Sequence, residues 1–196
     1  MLKDKLNQYN IILASGSPRR QQFFKEMDIP FTIQLKEIEE IYPATLKAEE
    51  ITNYLAELKA NAFENLSAND ILITSDTIVW HKGVALGKPK NQEDAFQMLQ
   101  SMSGKTHEVI TSVSFKTNSK IETIHEVTKV TFKDLLETEI NYYLNHYKPF
   151  DKAGSYGIQE WIGLIGITKI EGSYTNVVGL PVEKVYSKLL DYAKIN

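Results

Sequence analysis

The stretch "IILASGSPRRQQFFKEM", residues 11–27, changes its hydrophobic period within a few residues, and this join constrains the fold more than any other feature. Ile11, Ile12 and Leu13 form an apolar run of strand length, whereas Phe23, Phe24 and Met27 recur at helical spacing. Ser17 fits the N-cap of the helix, and Pro18 fits its first position, where a missing amide donor costs nothing. Arg19 and Arg20 then fall in the first turn, where the helix dipole disfavours cations while the unpaired amides attract an anion. A bound phosphate chain reconciles the two. Arg19 would grip phosphate oxygens or a base carbonyl through its planar donor fork, and Gly16 would let the backbone approach closely. An ordinary capped helix with solvated arginines explains the segment as well, and its glycines match neither the ATPase phosphate loop nor the dinucleotide fingerprint.

Period changes continue along the chain. They predict strands near 10–14 and 31–35, a helix over 18–27, and a further helix whose apolar face is Ile51, Tyr54, Leu55, Leu58 and Ala62. "ILITSDTIVW" reads as a strand running past polar groups. Ala95, Met98, Leu99 and Met102 mark another helix, followed by strands over 108–116 and 121–132 joined across "NSK". Helices near 136–147 and 181–193 and a strand region at 164–171 complete an α/β pattern: a mixed sheet with flanking helices rather than a repeating array. The hairpin, with the long segment before it, is expected to form a second lobe.

At 196 residues the chain can bury a sizeable core as one domain or as two lobes sharing a cleft. Its 22 Lys and Arg against 25 Asp and Glu give a net charge of −3, so no overall basic field recruits a nucleic acid polymer or a membrane. The absence of cysteine excludes disulfides, thiolate chemistry and cysteine metal sites, and fits a cytoplasmic protein. "MLKDKLNQYN" has no apolar signal core, and no segment approaches a spanning run.

Asp76, set between apolar runs, needs a partner that offsets desolvation, as a base or a metal ligand would have; a carboxylate capping a strand end is the competing explanation. Glu37, Glu39 and Glu40 offer hard oxygen ligands of the kind magnesium or manganese prefers, or else a solvated edge. Lys59 follows an apolar helical face. Lys88 sits in the turn "ALGKP", from which it can reach a phosphate chain. In "DKAGSYGIQEWIGLIGITKIEGSYTNVVGLP" the glycines permit close approach, and Gln159 can read a base edge because its amide both donates and accepts. Asp151 and Lys152 either pair together or face substrate. His81, His107, His125 and His146 lack zinc-protease spacing; His107 is expected to pack at a strand start and His146 on a helix surface. Ser17 lacks the context of a hydrolase nucleophile.

"LASGSPRRQ", "SDTIV", "LGKP", "MLQSMSGKTHEVITSV", "DKAGSYGIQ" and "GSYTNVVGLP", in this order over residues 11–190, resemble the Maf family of nucleoside triphosphate pyrophosphatases. The resemblance implies an elongated, inosine-triphosphatase-like mixed sheet with a cleft between two lobes, the whole of 1–196 being a single catalytic domain. It implies cleavage of a nucleoside triphosphate into the monophosphate and pyrophosphate, with Asp76 as proton acceptor and magnesium or manganese held by Asp76 and Glu39. The neighbouring acids leave a shifted match for Glu39 open. Ser15, Ser17, Arg19, Arg20, Lys59 and Lys88 are expected to bind substrate. Arg19, Thr77 and Gln159 match the selectivity positions of the dTTP/UTP subgroup. Two departures stand out: Ser75 replaces the usual first residue of "ADT", and Glu160 replaces the usual glycine after the selectivity glutamine. The alternatives are a noncatalytic nucleotide-binding regulator and a pyrophosphatase for modified pyrimidine nucleotides. A cytoplasmic role in nucleotide-pool control, and a homodimer, are compatible with the resemblance.

Overall fold

The apolar run at 11–13 is buried because it lies inside a sheet: β1 (Asn10–Leu13) pairs in parallel with β2 (Thr32–Ile33) on one side and β3 (Asp70–His81) on the other. A parallel strand covered on both faces reads as a continuous apolar run rather than an alternating one. The computed structural model describes residues 1–194. Its other elements are α1 (Leu2–Lys5), α2 (Pro18–Glu26), α3 (Glu49–Asn61), β4 (Val84–Leu86), α4 (Gln92–Met102), β5 (Thr106–Lys116), β6 (Ile121–Phe132), α5 (Glu137–Tyr147), α6 (Trp161–Gly166), β7 (Ile167–Glu171), α7 (Tyr174–Val178) and α8 (Val182–Tyr192). Among the described residues the sheet order is β2-β1-β3-β5-β6-β7, with β4 paired antiparallel to β3 and β7 antiparallel to β6. The α/β class and the mixed sheet are those expected. No described helix is long and apolar enough to cross a membrane.

The chain divides into two compact units. The first comprises Met1–Asp76, Thr111–Glu126 and the segment from Gly179 onward; the second comprises Thr77–Ile110 and Val127–Val178. In the first, Leu13, Phe24, Ile71, Ile73, Val113, Phe115, Val185 and Leu189 share one apolar cluster, and Ile12, Ala60, Phe63 and Leu72 share another. In the second, Phe132, His107 and Tyr156 stack and abut edge-on, and α4 packs on α5.

The hairpin does not belong wholly to a second lobe. Its tip half, 111–126, clusters with the first unit, tied there by Thr123 to Glu57 at 2.8 Å and by Lys188 to Glu122 at 2.7 Å. The segment expected as strand over 164–171 begins as α6 and becomes β7 only at Ile167. Its apolar run is too short for period to separate the two. Gly163 tips the balance: a Cβ there would lie 2.0 Å from the Ile158 carbonyl oxygen, so only glycine admits the helical turn against that backbone.

Candidate active site

β-strand alternation places Thr74 and Asp76 on one face of β3, and α3 packs on that face. The Thr74 hydroxyl donates to the Ala56 carbonyl at 2.7 Å, and three residues on along α3 Lys59 reaches Asp76, Nζ to Oδ1, at 2.6 Å. Residues three apart share a helix face, so one docking contact sets the other. Thr52 and Ser112 share a hydrogen bond at 2.6 Å, and Lys116 donates to the carbonyls of Ala60 and Phe63, which fixes both ends of α3 against β5.

Lys59 also meets Glu40, Nζ to Oε1, at 3.0 Å. Glu40 stands on the irregular segment after β2, which Lys36 pins by donating to the Ala62 carbonyl at 2.6 Å. The Lys59 side chain is 17% exposed, Asp76 9% and Glu40 48%, so a nearly buried ammonium joins one buried and one open carboxylate. Glu39, the expected metal ligand, is exposed one position away; the carboxylate brought to Lys59 and Asp76 is Glu40's. The run "KEIEE" carried this information only as an ambiguity of register.

The β1–α2 join is tied to the same strand. Arg20 donates through Nη1 to the Ser75 carbonyl at 3.1 Å and through Nε to the Gly179 carbonyl at 2.9 Å. The buried Ser15 hydroxyl accepts from the Ser17 amide at 3.3 Å and from Arg20 at 3.4 Å. Arg20 therefore anchors the join to the residue before Asp76. Burial lowers its pKa and the Asp76 charge opposes that shift, leaving a permanent cation. Ser17 occupies the N-cap position, yet its side chain accepts no helix amide, so the expected capping bond is not made. Arg19 lies half-buried in the first turn. Ser75 has a fully enclosed hydroxyl without a hydrogen-bond partner among the described residues.

Thr77, Lys88 and Gln159 belong to the second unit. Thr77 is half-buried on β3; Lys88 and Gln159 are exposed on turns. The loop preceding Gln159 is held against the Lys88 turn by the Gly154 amide, which donates to the Gly87 carbonyl at 3.0 Å. Gly154 has φ +66°, and a Cβ there would sit 2.7 Å from Val79 Cγ2, so this loop packs backbone-first on β3. The downstream "GSYTN" segment is a structural clamp. The Asn176 amide donates to the Val109 carbonyl at 3.0 Å and to Thr128 Oγ1 at 2.9 Å, and Thr128 also receives the Ser173 amide at 3.1 Å. His107 is buried with Nε2 2.7 Å from the Tyr156 hydroxyl, and His146 is exposed on α5, as expected for structural histidines.

An α/β chain with an arginine-anchored helix N-terminus beside a lysine-bridged carboxylate pair has the chemistry of a phosphate-handling enzyme. The chain belongs to the Maf family: the profile described as Maf-like protein matches residues 10–192. It is 69% identical over 190 residues to the dTTP/UTP pyrophosphatase of Flavobacterium johnsoniae, covering 96% of this chain and 98% of that protein. It is 64% identical over 193 residues to the dTTP/UTP pyrophosphatase of Flavobacterium psychrophilum, covering 98% and 99%. A solved HAM1 protein from Coxiella burnetii matches 93% of this chain and 99% of its own at 15% identity and a TM-score of 0.49.

Proposed function

We propose that the protein hydrolyses dTTP and UTP to the nucleoside monophosphate and pyrophosphate. The observation that carries this reading is the Lys59 ammonium held between Asp76 and Glu40, on the strand to which Arg20 ties the α2 N-terminus. The two Flavobacterium relatives that bear the name dTTP/UTP pyrophosphatase support the substrate assignment.

Water attacks the α-phosphorus, the bond to the bridging oxygen breaks, and pyrophosphate leaves with the electron pair. Asp76 accepts the water proton. Lys59 holds Asp76 in place and keeps a positive charge beside it. Arg19, the amides after Ser17 and the turn lysine Lys88 neutralise and align the phosphates, and Ser15 with Arg20 holds the join in shape. Thr77, Gln159 and the guanidinium of Arg19 read the pyrimidine.

Among the described residues no three His, Asp or Glu side chains form a metal-binding group. Two carboxylates meeting at one cation nonetheless fit magnesium or manganese, which is commonly held by one or two carboxylates together with substrate phosphates. Asp76 and Glu40 are the residues that would hold it, with Glu39 the neighbouring candidate. The metal would supply charge neutralisation on the phosphate oxygens. The same reading takes 1–196 as one catalytic domain of two lobes, cytoplasmic, acting on nucleotides rather than on nucleic acid polymer or membrane, with a homodimer to be tested by sedimentation.

A metal-controlled assay resolving monophosphate, pyrophosphate and orthophosphate from dTTP, UTP, CTP and GTP tests this reading. Equal yields of monophosphate and pyrophosphate from dTTP and UTP are expected; saturable binding without cleavage would instead establish a regulator.

A further inference from the structure

Gln159 projects from a turn whose two flanks are held by one side chain. On one flank the Gly157 amide donates to the Tyr143 hydroxyl at 3.0 Å; on the other the Tyr143 hydroxyl donates to Glu160 Oε2. Glu160 Oε1 pairs with Lys152 Nζ at 3.1 Å, and Lys152 also pairs with Asp151 at 2.7 Å. The Lys152 side chain is only 11% exposed, so this is a largely enclosed bridge rather than a solvated surface pair. The Glu160 side chain folds back over Gly157, where an added Cβ would lie 2.9 Å from Glu160 Cδ. The backbone closes the same turn: the Glu160 amide donates to the Gly157 carbonyl at 3.0 Å, and the Glu160 carbonyl accepts from Gly163 at 2.9 Å, opening α6. Burial, reinforced by the Glu160 carboxylate, pushes the Tyr143 hydroxyl above its usual range, so it stays a donor.

We propose that Glu160 is a positioning residue for base selection: through Tyr143 and Lys152 it locks the 157–160 turn and fixes where Gln159 presents its amide. A glycine at 160, the residue usual for the family, cannot make either bond. The role deepens the assignment of Gln159 as a base-reading residue and rests on it. An exposed amide on an unbraced turn samples several directions, and one aimed in a single direction discriminates better between bases because it is pre-organised.

The test is the kcat and KM of the full-length protein for dTTP, UTP, CTP and GTP, compared with Q159A, E160G, E160Q and Y143F. E160G is expected to lose about tenfold in the preference for dTTP and UTP over GTP, carried by a raised pyrimidine KM with kcat falling by about twofold at most. E160Q keeps an acceptor for Tyr143 and is expected to recover most of the preference. Y143F is expected to behave as E160G does and carries the same test without altering residue 160. Wild-type preference and KM in both E160G and Y143F, with preference lost in Q159A, would overturn the positioning role alone. Unchanged preference in Q159A would overturn the reading of Gln159 itself, and this inference with it.

Discussion

Asp76 lies in a 12-residue strand and is met by Lys59 from a 13-residue helix, whereas Gln159 stands exposed on a turn shaped by Gly154, Gly157 and Gly163. In the first region, position follows from regular periodicity. Thr74 docks α3 on the strand, and the next same-face residue of each element completes the ion pair. In the second, position follows from absent side chains and from one carboxylate folded over a glycine. The comparison teaches that the proposed chemistry is built on regular elements, while the proposed base-reading residue stands on a loop braced by Glu160 and Tyr143 beside the Gly154–Gly87 bond.

The sharpest way to break this division is Asp76→Asn. It keeps the shape and leaves Thr74 bonded to α3, but removes the carboxylate proposed as proton acceptor. Turnover of dTTP should fall about a thousandfold while the circular dichroism spectrum stays close to wild type, with the melting temperature lowered by loss of the ion pair to Lys59. Near-wild-type turnover by the purified variant would remove Asp76 from the reaction and would leave its contact with Lys59 a structural ion pair.

The two regions also differed in how legible they were. The strand–helix join, the long helices and Asp76 stood out because apolar periodicity and a polar residue inside it carry the signal locally. Arg20 was legible as a cation in the first turn, but its bonds to the carbonyls of Ser75 and Gly179 depend on residues 55 and 159 positions away. Glu40 was hidden among equivalent acids, because only the path of the irregular segment past α3 selects one of them. The short helices α1 and α7 lie below the length at which period is informative. Glu160 showed as a departure from the family pattern. Its partners did not, since Tyr143 belongs to another helix and Lys152 to the far side of the loop.

Gly154→Ala sharpens the comparison from the other side. The substitution places a Cβ against Val79 and forces an L-residue to φ +66°, so it should lower stability by about 2 kcal/mol. It acts where the loop meets β3 and the Gly87 carbonyl, and leaves Lys59, Asp76 and Glu40 untouched. Denaturant titration should show the loss, and the rise in KM for pyrimidine nucleotides should exceed the fall in kcat. Equal falls in kcat and kcat/KM would mean that the loop shapes the chemical step and would end the separation of roles.

The effect furthest from the reaction is expected from pH. Burial, with a lesser contribution from the charge of His81, pushes the His107 pKa down from 6.5 to about 3. Between these values the unfolded chain binds a proton at this position that the native chain does not. Stability from this residue is therefore fully present above about pH 6.5 and is lost as pH falls toward about 3, with a slope of at most about 1.4 kcal/mol per pH unit. His107→Leu removes the titrating group and the bond to Tyr156, so its stability is lower at pH 7 but declines less steeply on acidification. Urea midpoints at pH 7, 6, 5 and 4 for both proteins isolate the slope. Parallel declines would show that the buried imidazole takes no part in the acid sensitivity of the second unit, and acid loss would then have to come from its surface carboxylates.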